Sequence, residues 1–200
     1  MQNVSRFPLV NNYFNCTVVV GSSSKFANYS SGSGTNTLVF TYTVVSGDTD
    51  TDGLAITANT LALSTGTITD VPGNTATLTH SAVAAQSAHK VDTTAPTVTL
   101  TRTGSGTLRS SQTDTITFTL SEAATDFVVG DITVSGGTLS SFTATSSTVY
   151  TVIFIPTADT ASGSGSVSVA GATFTDAAGN SNTASSATSI SYDTLAPTVS

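Results

Sequence analysis

Alternating carboxylates are the clearest chemical signal in this sequence of 200 residues. The segment DTDTDG at 48–53 places Asp48, Asp50 and Asp52 at every second position and ends in a glycine. Calcium takes about six to eight oxygen ligands, and alternating carboxylates on a tight loop can converge on one ion. A complete calcium-binding loop of the EF-hand type would end in glutamate, whereas its twelfth position here is Asn59. The pattern therefore predicts either a calcium loop or a polar hairpin loop whose aspartates cap turns.

A second set of carboxylates lies where structural units of the chain would meet. Two aspartates precede an Ala-Pro pair, two lie in Gly-Asn turns, and a Ser-Glu-Ala segment carries the only glutamate with an aspartate soon after it. These residues are Asp92 and Asp193, Asp70 and Asp176, and Glu122 with Asp126. As in cadherin-type linkers, such residues can share calcium between domains and stiffen an array. The alternative is local, because aspartates in turns accept hydrogen bonds from the following backbone N–H groups.

The composition excludes several classes of function. Charged residues make up 8% of the chain, against roughly 25% in an ordinary soluble domain. Five basic residues against 12 acidic ones give a net charge of −7, which rules out a basic surface for nucleic acid. A single cysteine, Cys16, excludes a disulfide framework. No apolar run approaches the roughly 18–20 residues of a membrane helix, so we expect no membrane insertion.

An internal repeat fixes the organisation. DTTAPTVT at 92–99 returns as DTLAPTVS at 193–200, and TITDVPGNTAT at 67–77 returns as TFTDAAGNSNT at 173–183. A repeat of about a hundred residues is typical of tandem domains, and we interpret the sequence as a window on a longer array. The predicted divisions are a truncated domain at 1–92 with an atypical segment at 1–16, a complete domain at 93–192, and the start of a further repeat at 193–200.

The strand pattern predicts an all-β fold. Apolar and Thr residues alternate in 113–120 and 36–44, which turns Ile116, Phe118 and Leu120 inward in the one segment. In the other, the inward set is Leu38, Phe40, Tyr42 and Val44, and in 149–155 it is Tyr150, Val152 and Phe154. No helical period appears, and 83–90, the one stretch with helix formers, is predicted to be a loop or one short turn. We expect two tandem Greek-key β-sandwiches, the first without its opening strands and therefore open to completion by strand addition.

Several of these segments resemble the bacterial immunoglobulin-like repeats of very large secreted and surface adhesins. They are the two linkers, the segment 118–142, the turn FTDAAGN at 174–180 and the segment 31–53. The resemblance implies an immunoglobulin-like sandwich, tandem copies, an extracellular or cell-surface location and a role as spacer or adhesive stalk. It also implies calcium near domain junctions as a cofactor, with neighbouring repeats and molecules of host or neighbouring cells as partners.

Three functions compete. A structural module that holds an adhesive tip away from the cell, in adhesion or biofilm formation, fits the acidic Thr/Ser-rich composition. A direct glycan- or protein-binding module would need exposed aromatic rings, and only Tyr13, Phe26 and Tyr29 fall outside the inward positions. An enzyme is not expected, because no pair of carboxylates or nucleophilic triad can be assembled from the pattern.

Overall fold

The protein is all-β, as the alternation predicts. The structure is a computed structural model that describes residues 9–10, 14–64 and 66–199. Across those ranges the chain forms strands, loops and one 3-10 turn at Val129–Asp131, and it forms no α-helix. The described residues accordingly contain no helix with the length and apolar character needed to cross a membrane. The chain divides into two compact units, Met1–Thr94 and Ala95–Ser200.

The first unit is built on one principal sheet of short strands. Its described strands are β1 (Leu9–Val10), β2 (Phe14–Val20), β3 (Ser23–Ser31), β4 (Val39–Thr41), β5 (Thr49–Asp50), β6 (Ala55–Ile56), β7 (Ala62–Leu63), β8 (Thr67–Ile68) and β9 (Val91–Asp92). The principal sheet has the order β4-β3-β2-β6, and β7 also pairs with β2. Two further antiparallel pairs are β1·β8 and β5·β9.

The hydrophobic core of the first unit is small. Its buried cluster consists of Val18, Val20, Ala27 and Val91. β2 begins at Phe14, inside the segment 1–16 that lacks the Thr alternation, and the Phe14 side chain is buried. The prediction for 36–44 is wrong at one end, because Val44 follows the three-residue strand β4 and is 44% exposed. The remainder of segment 1–16, residues 1–8 and 11–13, lies outside the described residues.

The second unit is a two-layer sandwich. Its strands are β10 (Val98–Arg102), β11 (Leu108–Arg109), β12 (Asp114–Leu120), β13 (Ile132–Ser135), β14 (Gly137–Ala144), β15 (Val149–Pro156), β16 (Gly163–Val169) and β17 (Thr188–Asp193). One sheet has the order β10-β12-β15-β14 and the other the order β11-β17-β16-β13. Pairs are antiparallel except β11·β17, which is parallel, with Leu108 opposite Tyr192.

A single core fills the space between these two sheets. The predicted inward residues of β12 and β15 are all buried, and the opposite sheet contributes Val167, Val169 and Ile190 to the same cluster. Phe127, from the loop after β12, lies at the centre of an aromatic group with Phe174 and Tyr150, each 5.0 Å away between ring centroids. The Greek-key sandwich prediction is thus confirmed for this unit. In the first unit, 83–90 forms no helix: Val83 makes a single bridge to Ile56, and a loop with a short turn follows.

Candidate functional site

The Asp48 carboxylate is occupied by groups of the protein itself. Its Oδ1 lies 2.8 Å from Lys25 Nζ, while its Oδ2 accepts hydrogen bonds from the Tyr42 hydroxyl and from the Val45 N–H at 2.9 Å. The ion pair with Lys25, followed by the bonds from Tyr42 and Val45, lowers the pKa of Asp48 to about 2. Because Asp48 is buried, this network neutralises a charge that would otherwise be costly to remove from water.

Asp50 is also buried and serves the backbone. Its Oδ2 accepts the Gly21 N–H at 2.8 Å and its Oδ1 accepts the Gly53 N–H at 2.7 Å. The bond from Gly21 is the main cause that lowers the pKa of Asp50, and the bond from Gly53 adds to it. Asp52 is exposed beside it. All three aspartates are among the described residues. Their carboxylate oxygens do not all lie within 4.8 Å of one another, the spacing at which they could hold one ion.

Acid is expected to destabilise the first unit through Asp48. Its pKa of about 2 in the folded state lies below the unfolded value near 4, so the network stabilises the fold fully above pH ~4. That contribution should fall away as the pH drops from ~4 through about 2. Hydrogen exchange of β2 and β3 amides between pH 5 and 2 measures the loss, after correction for the intrinsic exchange rate.

The Lys25→Met variant should start less stable and lose less stability over the same pH range. Lys90 is exposed, so Lys90→Met removes an equal charge from the same unit and should retain the wild-type pH dependence. Equal pH dependence in the wild type and in Lys25→Met would contradict the role given to the ion pair.

The two T-D-x-x-G-N turns have the same structure in both units. Asp70 accepts the Asn74 N–H at 2.7 Å and the Asn74 side-chain amide at 2.8 Å. Asp176 accepts the Ala178 and Asn180 N–H groups, both at 2.8 Å. Gly73 and Gly179 follow with φ of 98° and 90°, a conformation that side chains disfavour. Both carboxylates therefore cap turns by accepting hydrogen bonds from the backbone N–H groups that follow them, as the alternative to calcium binding predicts.

Hydrogen bonding keeps both turn aspartates ionised. The pKa of Asp70 is lowered, first by the side-chain amide of Asn74 and then by its backbone N–H. Burial by itself would raise the pKa of Asp176, but the bonds from Asn180 and Ala178 outweigh it and leave the pKa below its usual value. A carboxylate oxygen that accepts one hydrogen bond keeps lone pairs that can still bind a cation.

One pair of predicted ligands does come together within the second unit. A carboxylate oxygen of Glu122 and one of Asp176 lie within 4.8 Å of each other. Asp126, on the same loop as Glu122, instead accepts the Thr175 N–H at 2.8 Å and fastens that loop to the turn that carries Asp176. Thr97, at the start of the second unit, is bound to Ser121, the residue before Glu122. Ser121 Oγ accepts the Thr97 N–H at 2.9 Å, and Thr97 O accepts the Ser121 N–H at 3.0 Å.

The linker aspartates brace the backbone that follows them. Asp92 Oδ1 accepts the Thr94 N–H at 2.9 Å, and Asp193 Oδ1 accepts the Leu195 N–H at 3.2 Å. The threonine after each aspartate holds a loop of its own unit. The Thr93 hydroxyl donates to Asp48 O at 2.9 Å in the first unit, and the Thr194 hydroxyl donates to Thr157 O at 2.7 Å in the second.

The sequence pattern did not reveal a second buried ion pair. Asp114 at the start of β12 is buried, and its Oδ2 lies 2.7 Å from Arg102 Nε on β10. The Arg102 guanidinium also donates to the carbonyls of Ser189 and Gly106, both at 3.1 Å. The bonds connect the two sheets. Predicting this ion pair requires the register in which β10 pairs with β12, and the alternation of residues within each strand does not give that register.

Exposed aromatic rings are scarce where the structure describes the chain. Phe26 on β3 is 64% exposed, whereas Tyr29 is half-buried between Phe14 and Phe40 at 5.7 and 6.0 Å between ring centroids. Tyr13 lies outside the described residues. The arrangement does not form the row of rings that a carbohydrate platform uses, and the glycan-binding alternative stays a prediction.

Comparison with known proteins agrees with the geometry of the second unit. A family model described as "Bacterial Ig-like domain" matches residues 92–193, which is just over half of the chain. Searches of curated proteins and of solved structures gave no match. Domains of this family are generally non-enzymatic and commonly occur in extracellular and surface proteins. With its two-sheet sandwich and its matching sequence, this chain belongs to the bacterial Ig-like domain family.

Proposed function

We propose that the chain is a spacer in a large extracellular or cell-surface protein and that it holds an adhesive region away from the cell in adhesion or biofilm formation. Its partners in this role are neighbouring Ig-like modules of the same polypeptide, and beyond them molecules of host or neighbouring cells. The observation that carries the proposal is the continuous core of the second unit, in which no described buried side-chain polar atom lacks a hydrogen-bond partner. Such a body resists deformation because each of its buried groups is already paired.

The strand order of this unit is suited to tension. β11 lies near the start of the unit and β17 at its end, and the two strands pair in parallel. Opposite pulls on the two ends of the unit would slide these strands along each other. All the hydrogen bonds between them would then resist the pull together, instead of opening one after another as in a hairpin that is unzipped from its ends.

Pulling the full chain by its two ends in a single-molecule force experiment tests this function. We expect two unfolding events, with the second unit unfolding at the higher force. The first unit is the internal reference, because its described strands include no parallel pair and its buried cluster is smaller. A second unit that unfolds at a force equal to or below that of the first would contradict the spacer proposal.

Calcium is the proposed cofactor, with Glu122 and Asp176 as ligands in the second unit. The support is that a carboxylate oxygen of Glu122 lies within 4.8 Å of one of Asp176, together with the lowered pKa of Asp176, which keeps that group charged. The other predicted ligands, including the Asp48–Asp52 loop, Asp92 and Asp193, stay predictions. Extracellular calcium modules bind with Kd of about 0.1–1 mM. About 10 mM calcium would therefore stabilise the unit by roughly 1.4 kcal/mol or more.

The same pulling experiment, with calcium or with chelator, measures this effect. Calcium should raise the unfolding force of the second unit, and Glu122→Gln should remove most of the increase. Asp159 is exposed in the same unit, so Asp159→Asn is a control with an equal loss of charge and should keep the calcium response. An unfolding force that calcium does not change would contradict the calcium proposal and leave the spacer proposal standing.

A further inference from the structure

The connection between β6 and β7, residues 57–61, is fastened along one side to the segment 80–83. At one end of this segment, Val83 forms an antiparallel bridge with the last residue of β6. At its other end, the Asn59 N–H donates to His80 O at 3.2 Å, and the His80 N–H donates to Asn59 Oδ1 at 3.0 Å. The contact between the two segments is thus made by backbone groups and one carboxamide.

The other side of the connection contacts β2 through Thr60. β2 pairs with β6 and, further along, with β7. Between these two pairings the Thr17 N–H of β2 donates to Thr60 Oγ1 at 3.2 Å, and the same hydroxyl donates to Thr57 O at 3.0 Å. Thr60 therefore completes the edge of β2 where the strand ladder is interrupted.

The imidazole of His80 holds Thr60 in this place. Its Nε2 accepts the Thr60 N–H at 2.9 Å, and its Nδ1 lies 3.0 Å from Ser81 O. A carbonyl oxygen can only accept, so Nδ1 carries the ring proton, and a backbone N–H can only donate, so Nε2 presents its lone pair. Both ring nitrogens are therefore committed to one tautomer of the neutral imidazole.

A proton on Nε2 would break this arrangement. The imidazolium ion donates from both ring nitrogens and accepts at neither, so an Nε2–H would point at the Thr60 N–H. The segments around the ring, 57–63 and 75–83, contain no charged side chain, and neither does β2, in which Cys16 is the only titratable group. No carboxylate of these segments can therefore compensate a positive charge on the ring.

We propose that His80 is a pH-sensitive latch that fastens the β6–β7 connection to the first unit. The neutral ring holds the Thr60 N–H, whereas a ring released by opening takes up a proton as the pH falls from about 8 to about 5. Proton uptake favours the open connection, so the latch stabilises the first unit at high pH and loses this contribution as the pH falls. Opening also releases Asn59 from a left-handed conformation with φ of 58°. The proposal depends on neither the calcium role nor the spacer role.

NMR spectroscopy of the full chain tests the latch in two ways. The nitrogen shifts of the His80 ring should place its single proton on Nδ1 at pH 8. Exchange of the Thr60 and Thr17 amides, corrected for the intrinsic rate, should be at least about tenfold faster at pH 5 than at pH 8. The amides of β12 in the second unit are the reference and should keep their protection. This pH range lies above the range in which the Asp48 network is lost, so the two acid effects are separable.

Substitution of each histidine in turn assigns the effect. His80→Gln removes the titrating group, so the corrected exchange of Thr60 should be equal at pH 8 and pH 5. His89 is exposed in the same unit, and His89→Gln is the matched control that should retain the wild-type pH dependence.

Four results would each overturn the proposal. They are a ring proton on Nε2 at pH 8, equal protection of Thr60 at both pH values in the wild type, a pH dependence that persists in His80→Gln, and one that is lost in His89→Gln. If His80→Gln fails to fold, the ring tautomer and the comparison of the wild type with His89→Gln decide the matter.

Discussion

Replacing Phe118 by alanine is expected to destabilise the second unit by about 3–5 kcal/mol. Phe118 is completely buried on the central strand β12, opposite Leu100 on β10 and Tyr150 on β15. Its ring also lies 5.8 Å from that of Phe127, measured between centroids. Alanine would leave a cavity that this sheet cannot close by collapsing, because both neighbouring strands are fixed by backbone pairing.

Hydrogen exchange in the intact chain measures the effect locally. The amides of β12 and β15 should lose protection by roughly two to four orders of magnitude, while those of β2 and β3 serve as the reference in the first unit. Phe26→Ala is the matched control, since it removes the same side chain from a 64% exposed position and should cost within about 0.5 kcal/mol. An effect of Phe118→Ala no larger than that of Phe26→Ala would show that the sheets do not share one tight core.

The sequence is sufficient for those parts of the fold that depend on neighbours along the chain. Alternation in 113–120 and 149–155 predicts which side chains are buried, because successive residues of a strand point to opposite faces. The two Gly-Asn turns are equally local, since their aspartates bond to N–H groups two to four residues later. These are the elements for which the predicted and observed structures agree.

Contacts between distant segments explain what could not be predicted. The spacing of Asp48, Asp50 and Asp52 predicts a calcium loop or a loop whose aspartates cap turns, and it does not reveal that Asp48 pairs with Lys25 on the strand β3. Val44 follows a good strand pattern and is nevertheless 44% exposed, because the strand β4 ends at Thr41 and the chain leaves the sheet before it reaches Val44. Neither outcome is encoded in local spacing. The approach of Glu122 to Asp176 likewise required the loops to be placed in space.

Asn182 illustrates the same limit at a buried polar residue. Its side chain is buried and makes four hydrogen bonds to the backbone. The Oδ1 atom accepts the N–H groups of Thr173 and Phe174 at 2.8 and 3.0 Å, and Nδ2 donates to the carbonyls of Ala170 and Thr183 at 2.8 and 2.9 Å. The amide thereby replaces the missing backbone pairing in the connection between β16 and β17.

The Asn182→Ala variant is expected to lose about 2–4 kcal/mol of stability in the second unit. Two donors and two acceptors of the backbone would lose their partner at once, and the small cavity would admit water to only part of them. Urea unfolding followed by exchange of the β16 and β17 amides gives the loss. Asn182→Asp keeps the volume but removes two donors and adds a charge, so at neutral pH it should be at least as destabilising as alanine.

Measuring the stability of the two Asn182 variants as a function of pH separates the contribution of hydrogen bonding from that of packing. In Asn182→Asp, burial among carbonyl groups should raise the carboxyl pKa above its unfolded value, so the variant should regain stability as the pH falls and the group becomes protonated. The alanine variant should not regain it. The first unit supplies the natural reference, because Ala76 occupies the equivalent position and its N–H donates to Ile68 O at 2.8 Å, as the N–H of Asn182 does to Phe174 O at 3.0 Å. This backbone contact therefore forms without the amide side chain. If Asn182→Ala cost less than about 1 kcal/mol, the four hydrogen bonds would be replaceable by water and the amide would have no structural role.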